Sequence, residues 1–322
     1  VIFMVRWAQS KLKEIDLMKK LFRNIFLCLT LVMTLVAGMA SSQVIHAEDQ
    51  EPLQVQFVPT NNDGSMEAKA KPFGEYLSKK LGREVKVTLA TDYSTIVQAM
   101  ASGQLDLGIM PPAAYVQARN LEAAEAILTS ELGKFDPETG LPLEGETTGT
   151  FKAEVLVKAD SEIESLEDLV GKRIATLSPA SASGYIYPIA EMKEKGIDVK
   201  DLTLTTVNDI PSMITSILNG QQDAMFSFQG TRVVFGKVFP DNDLMKDLKV
   251  IYLSEGDIPN DAIAVHPSMD DELREQIKEA FLTMGDTEEG QEIMALWSHI
   301  GYTEADEAAY DTVENYTELA AE

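Results

Sequence analysis

The 322-residue chain predicts an α/β fold in two lobes, each a mostly parallel sheet flanked by helices, with a cleft between them. Three observations carry this reading. Short apolar strands alternate with helical stretches, and no two-residue hairpin joins neighbouring strands, which is the pattern of a parallel sheet covered by helices. The stretch Thr91–Asp106 (TDYSTIVQAMASGQLD) aligns without gaps on Asn208–Asp223 (NDIPSMITSILNGQQD), pairing Asp92 with Asp209, Gly103 with Gly220, Gln104 with Gln221 and Asp106 with Asp223. Each copy leads into an apolar strand and follows a strand, a proline-containing polar loop and a helix, so two units share one order of elements.

Leu53–Val58 alternates as a strand and runs into the polar turn Pro59–Gly64. Ser65–Leu81 reads as a helix interrupted by Pro72 and ended by Gly82. Glu84–Leu89 is a second strand. Thr91, Asp92 and Tyr93 open the next helix, whose Ile96, Val97 and Met100 share one face and which Gly103 ends. Leu105–Met110 is a third strand, closed by Pro111 and Pro112. Thr129–Thr150, with Asp136, Pro137, Gly140, Pro142, Gly145 and Gly149, reads as a long loop. Phe151–Lys158 is again a strand, and Ser165 N-caps a short helix, Leu166–Val170. After the second copy of the repeat come a strand at Ala262–Val265 and helices at Asp270–Met284 and Glu288–Trp297. Asp92 and Asp209 read as helix caps, Asp106 and Asp223 as residues that fix turns.

Residues 1–47 read as an upstream extension, 1–17, followed by a signal peptide. Met18, Lys19, Lys20 and Arg23 form its basic start, Ile25–Val36 its apolar segment, and the cut is expected after Ala47. The apolar run is short for a membrane span. Cys28, the single cysteine, lies inside that segment and not behind it, so lipid attachment is not expected, and the mature chain has no thiol. Taking the six basic and two acidic residues of 1–47 from the 27 and 52 of the whole chain leaves 21 basic against 50 acidic, a net charge of −29. That surface argues against nucleic acid and anionic membranes as partners.

The chemistry concentrates in Lys172–Gly196. Arg173–Leu177 is a strand, Ser178–Gly184 a loop of small residues, and Tyr185–Lys195 a helix stopped by Gly196. Pro188 lacks an N–H, so the helix should start close before it, with the N-cap near Ser183 or Gly184. A serine-rich loop at a helix start aims free N–H groups, hydroxyls and the positive end of the helix dipole at one spot, which suits an anion; the same serines would also serve simply as caps.

Through Ala90–Thr91–Asp92–Tyr93, the Gly103–Gln104–x–Asp106–Leu107 turn, Pro179–x–Ser181–x–Ser183–Gly184–Tyr185 and Ile258–Pro259–Asn260–Asp261, the chain resembles the phosphate/phosphite/phosphonate substrate-binding proteins of ABC importers over roughly Leu53–Trp297. The resemblance implies a two-lobed periplasmic-binding-protein-like fold of type II that closes on its ligand by hinge motion. It puts the anion loop on Ser181, Ala182, Ser183 and Gly184, the tyrosine of the first lobe on Tyr93, a second aromatic on Phe151 and the acidic residue of the later strand on Asp261. Here Ala182 replaces a common hydroxyl residue, Phe151 a frequent tyrosine and Ile210 a frequent histidine. A further acidic residue of the aminoalkylphosphonate binders would fall near Gln229–Gly230, which carries no charge. A small or apolar substituent, such as hydrogen or methyl, is therefore expected to fit best.

The implied function is the extracytoplasmic binding component of an importer for phosphonate, phosphite or phosphate. It would be exported to the periplasm or cell surface, not as an enzyme but as a monomer serving permease and ATPase subunits. The alternative is a two-lobed sensor for another small anion that presents its closed form to a membrane receptor. Only His266 and His299 follow residue 47, no HExxH, CxxC or GxSxG motif is present, and no cofactor or metal is expected. The first lobe is expected to comprise 48–150 and 262–322, the second 151–261, with hinge crossings near Thr150 and Asp261.

Overall fold

The computed structural model describes residues 51–59, 65–207 and 209–321; the expected upstream extension and signal peptide lie outside them. In chain order the strands of the first half are β1 (Leu53–Phe57), β2 (Val85–Leu89), β3 (Leu107–Met110), β4 (Glu125–Phe135), β5 (Pro142–Thr148), β6 (Thr150–Phe151) and β7 (Ala153–Lys158). Those of the second are β8 (Arg173–Thr176), β9 (Thr203–Thr206), β10 (Ala224–Phe228), β11 (Leu248–Leu253), β12 (Ile258–Pro259), β13 (Ala262–Val265) and β14 (His299–Glu304). The helices are α1 (Ser65–Leu81), α2 (Tyr93–Ala101), α3 (Pro112–Asn120), α4 (Tyr187–Glu194), α5 (Ile210–Leu218), α6 (Thr231–Val234), α7 (Leu244–Asp247), α8 (Asp271–Leu282), α9 (Glu288–Met294) and α10 (Glu307–Ala321).

One sheet runs β14-β4-β13-β3-β1-β2 with β5 added on β4; the other runs β11-β7-β10-β8-β9. The two orders correspond. β3-β1-β2 and β10-β8-β9 are the parallel cores, and β13 and β7 each join their core antiparallel. Parallel pairing stops at these three strands, because β7 and β13 are the strands by which the chain enters each lobe from the other. The repeat is kept in its details. Asp92 and Asp209 cap α2 and α5, accepting 2.8 Å bonds from Thr95 N and Ser212 N. Asp106 accepts from Gln54 N at 2.7 Å and Asp223 from Arg173 N at 2.9 Å, each tying the start of a third strand to the start of the first.

Thr129–Thr150 is not a loop. β4 and β5 form an antiparallel hairpin, pairing Leu132 with Thr148 and Phe135 with Pro142. The turn residues are confined to its tip, where Asp136 Oδ1 accepts from Glu138 N, Thr139 N and the Thr139 hydroxyl. The hairpin reaches the second lobe. The Phe135 ring lies against Gly230 and the Arg232 guanidinium against Gly140, both so closely that a Cβ on either glycine would collide. The expected strand Phe151–Lys158 is broken at Lys152, and its first part belongs to a separate pair: β6 and β12, the two crossings between lobes, hydrogen-bond to each other.

Asn260, 1% exposed, locks the crossing. Its Nδ2 donates to Ser130 O at 2.9 Å and Thr148 O at 2.8 Å, its N–H to Gly149 O at 3.0 Å, and its carbonyl accepts from the Tyr310 hydroxyl at 3.1 Å. Tyr310 belongs to α10, which spans the lobes. On the first-lobe side Arg119 of α3 faces Glu307, Asp311 and Glu314. On the second, Tyr316 stacks on Tyr187 with centroids 4.0 Å apart and bonds Glu191, and Lys193 Nζ caps the carbonyls of Leu319 and Ala320.

Each sheet has apolar cores on its faces, and the second carries a buried carboxyl on one of its strands. Glu154 lies on β7, 2% exposed; its Oε2 accepts from Gly230 N at 3.4 Å and its Oε1 has no partner among the described residues. Burial pushes its carboxyl up to about 7, against the pull of the Arg232 charge and of the Gly230 and Thr231 N–H groups.

Two outcomes are expected. Asn260→Ala removes two buried hydrogen bonds and strands two carbonyls, and should lower the unfolding free energy by about 3 kcal/mol in urea titrations at constant m. For Glu154, the folded chain holds a proton that the unfolded chain releases near 4.5, so its contribution falls as pH rises. It should cost roughly 3 kcal/mol of stability between about pH 4.5 and about 7. Glu154→Gln should flatten the fall of the urea midpoint across that window; an unchanged slope would place the proton elsewhere.

Candidate functional site

The serine loop between β8 and α4 starts its helix earlier than the sequence implied. Ser181, with φ −86° and ψ 122°, is the N-cap, and its Oγ accepts from Gly184 N at 3.2 Å. The first turn, Ala182–Ile186, is a π turn: Ile186 N bonds Ser181 O at 3.0 Å and Tyr187 N bonds Ala182 O. Pro188 explains the shift. It has no N–H to offer the Gly184 carbonyl, which accepts instead from Leu177 N at 3.1 Å. Gly184 sits so close to Leu177 that a Cβ would lie 2.7 Å from the Leu177 Cβ. The N–H groups of Ala182 and Ser183 have no partner among the described residues and mark the positive end of the π turn and α4.

This turn faces a cavity of about 760 Å³ between the lobes. Tyr93, Phe151, Ser181, Ala182, Ser183 and Asp261 all line it. Gly184 does not. Its N–H is taken by Ser181 and its carbonyl by Leu177, so it shapes the loop from behind and does not face the cavity. Tyr93 is the first residue of α2, presented across the cleft by the Asp92 cap. Burial raises its phenol pKa, the Ser181 hydroxyl beside it pulls the other way, and the Asp261 charge adds to the rise. Tyr93 therefore stays protonated at neutral pH and can donate. Among the described residues no lysine or arginine lines the cavity, and Asp261 is the one carboxylate that does. An anion held here would be met by N–H and O–H donors and not by a formal positive charge.

Several lining residues were not offered as ligands from sequence: Ser130, Asn260, Trp297 and His299. His299 is buried to 1% of its side chain, with Nε2 3.4 Å from Asp261 Oδ2 and Nδ1 3.3 Å from the Tyr302 hydroxyl. It arrives on β14, a strand missed because HIGYTE is short and polar, although its Tyr302 and His299 point inward. Ser130 Oγ and Asn260 Oδ1, at the edge of the cavity, lack partners among the described residues. Ile210 is not at the cavity; it starts α5 and is buried with Ala175, Met213 and Ile214 in the second-lobe core, so it says nothing of the ligand's substituent. Gln229 does line the cavity, and the uncharged Gln229–Gly230 position has Glu154 directly behind it. Among the described residues no group of three or more His, Cys, Asp or Glu could hold a metal ion, and no helix is long and apolar enough to cross a membrane.

Residues 55–310 match the family described as ABC transporter, phosphonate, periplasmic substrate-binding protein. The phosphate-import protein PhnD of Mycolicibacterium smegmatis is 27% identical over 267 residues, 79% of this chain and 78% of that protein. The fold is similar to the crystal structure of a binding protein component of an ABC phosphonate transporter from Pseudomonas aeruginosa. That pair has a TM-score of 0.69 and 20% identity over 85% of this chain and 88% of that one. It is also similar to PhnD1 from Prochlorococcus marinus in complex with methylphosphonate, with a TM-score of 0.62 and 18% identity over 83% and 97% of the two chains. The structural likenesses speak for the two-lobed type II fold, and the family match spans most of the sequence. The chain belongs to the periplasmic substrate-binding proteins of phosphonate ABC transporters.

Proposed function

We propose that this chain is the extracytoplasmic binding component of an ABC importer and captures a phosphorus oxyanion, a phosphonate, phosphite or phosphate, in the cleft between its lobes. The observation that carries the reading is the start of the π turn. The free N–H groups of Ala182 and Ser183, flanked by the Ser181 and Ser183 hydroxyls, open onto the same cavity as the Tyr93 phenol from the other lobe. Three oxygens arranged tetrahedrally about phosphorus match donors converging from two sides. The names of relatives agree: one imports phosphate and one holds methylphosphonate. The site reads as binding, not catalytic, because its donors are fixed caps and backbone groups, and Asp261 and His299 face each other. Its product is the closed, loaded protein, handed as a monomer to permease and ATPase subunits after export.

The lobes divide at the paired crossings, residues 48–150 with 262–322 against 151–261, and the hinge is β6 with β12. A charge-assisted hydrogen bond is worth about 1.5–3 kcal/mol, so Ser183→Ala should weaken phosphate or methylphosphonate binding by about tenfold to a hundredfold in calorimetry. Ser183→Asp should abolish it by placing a carboxylate at the dipole end; retained affinity in Ser183→Asp would remove this loop from the site. Small-angle scattering should show a smaller radius of gyration at saturating ligand. Superimposable profiles with bound ligand would count against hinge closure.

A further inference from the structure

The cavity is much larger than an oxyanion requires. At about 30 Å³ per water, its 760 Å³ equals roughly 25 waters, whereas methylphosphonate has about five non-hydrogen atoms. The anion donors occupy one part of it. Val58, Pro111 and Asp261 lie at the ends of β1, β3 and β13, in the middle of the first-lobe sheet, opposite Ser181–Ser183. The lining stretch Met294–Ile300 belongs to β14 and the turn before it, at the sheet edge beyond β4. From β1 to β14 is four strand spacings, roughly 19 Å at about 4.8 Å each, so the cavity is elongated.

Its outer part is largely apolar, although Gln229, Gln291, Ser298 and His299 also line the cavity. From the second lobe come Phe228 and Phe235, ring centroids 6.2 Å apart, and from the first come Met294, Leu296, Trp297 and Ile300. Among the described lining residues an ammonium there would find no carboxylate but Asp261, which already lies 3.4 Å from His299 Nε2. Nor is the space a gap that closure simply removes. Phe135 and Gly140 of the β4–β5 hairpin already rest on Gly230 and Arg232, so the lobes meet beside it.

We infer that the ligand is a phosphonate or phosphate monoester carrying an apolar substituent of about ring size. Its oxyanion sits at Ser181–Ser183 and Tyr93, and its substituent between Phe228 and Phe235 on one side and the Met294–Ile300 segment on the other. This rests on the oxyanion reading above and names the class of molecule that the same site selects. The aromatic walls offer a ring both area and the offset or edge-on contacts that aromatic pairs prefer.

The test is titration calorimetry of the whole protein with phosphate, methylphosphonate and phenylphosphonate. Phenylphosphonate should bind at least tenfold tighter than methylphosphonate. Ile300→Glu places a carboxylate at a rim position that is 49% exposed and so tolerates it, and should cut the phenyl-to-methyl affinity ratio at least tenfold; Phe228→Ser should do the same from the other lobe. Measurable methylphosphonate binding with equal or weaker phenylphosphonate binding overturns this inference and leaves the oxyanion reading intact. A preference for phenylphosphonate that survives both substitutions overturns the placement of the ring. Absence of binding for all three compounds overturns both readings together.

Discussion

Everything about this molecule depends on how one chain crosses twice between two sheets without leaving buried backbone unpaired. Two strands too short to form a sheet, β6 and β12, pair only with each other, and the polar groups around them have to be met in a place that is closed to water. Asn260 meets them. Its amide takes the carbonyls on either side of the β4–β5 hairpin, and its own carbonyl takes the Tyr310 hydroxyl. Asp261, the next residue, is then held at the cavity, with its carbonyl accepting from Ser130 N at 3.0 Å. One buried amide thus sets the crossing, the base of the hairpin, the C-terminal helix and the cavity carboxylate Asp261.

The electrostatics of the cleft run against those of the whole chain. A strongly acidic protein repels anions at long range, so capture has to rely on groups that act over a few ångströms. Backbone N–H groups, hydroxyls and a protonated phenol are such groups. They cost nothing to desolvate compared with a buried lysine, and they hold fixed directions because caps hold them: Asp92 for Tyr93, Ser181 for its own turn. The π turn is part of this. A helix beginning with an ordinary turn would need the N–H that Pro188 lacks, and the wider turn leaves the Ala182 and Ser183 donors facing outward.

How much of this was legible in the sequence follows from the range of the interactions. Ser181 and Ser183 could be found because a serine-rich helix start announces itself in a few consecutive residues, whereas Tyr93 came from the family resemblance. The shared order of elements in the two lobes could be read from one gapless repeat. The β4–β5 hairpin could not, because Pro142 and Gly145 look like loop signals and only pairing with Leu132, Gly133 and Phe135 makes their stretch a strand. His299 was hidden for the same reason: it reaches the cavity on β14, whose partner β4 is far away in sequence, and Trp297 comes from the turn that leads into β14. Glu154 reads as one acid within the strand AEVLVK, and nothing local reveals that it lies beneath Gly230. Gly184 was misjudged in the opposite direction, since a glycine beside two serines at a helix start invites a ligand, whereas the close approach of Leu177 is what requires it.

The helix α10 rests on both lobes, and its two ends are fastened by different physics. At the first-lobe end a single guanidinium, Arg119, faces three carboxylates that are all partly open to water. Such a cluster weakens as ions crowd around it. At the other end an aromatic stack and the Tyr316 hydroxyl on a buried glutamate are nearly indifferent to added ions. The helix is therefore an asymmetric tether, with a screenable end and an unscreenable one. Ionic strength becomes a dial on how firmly the lobes are strapped together, turned by the surrounding medium with no change at the cavity itself.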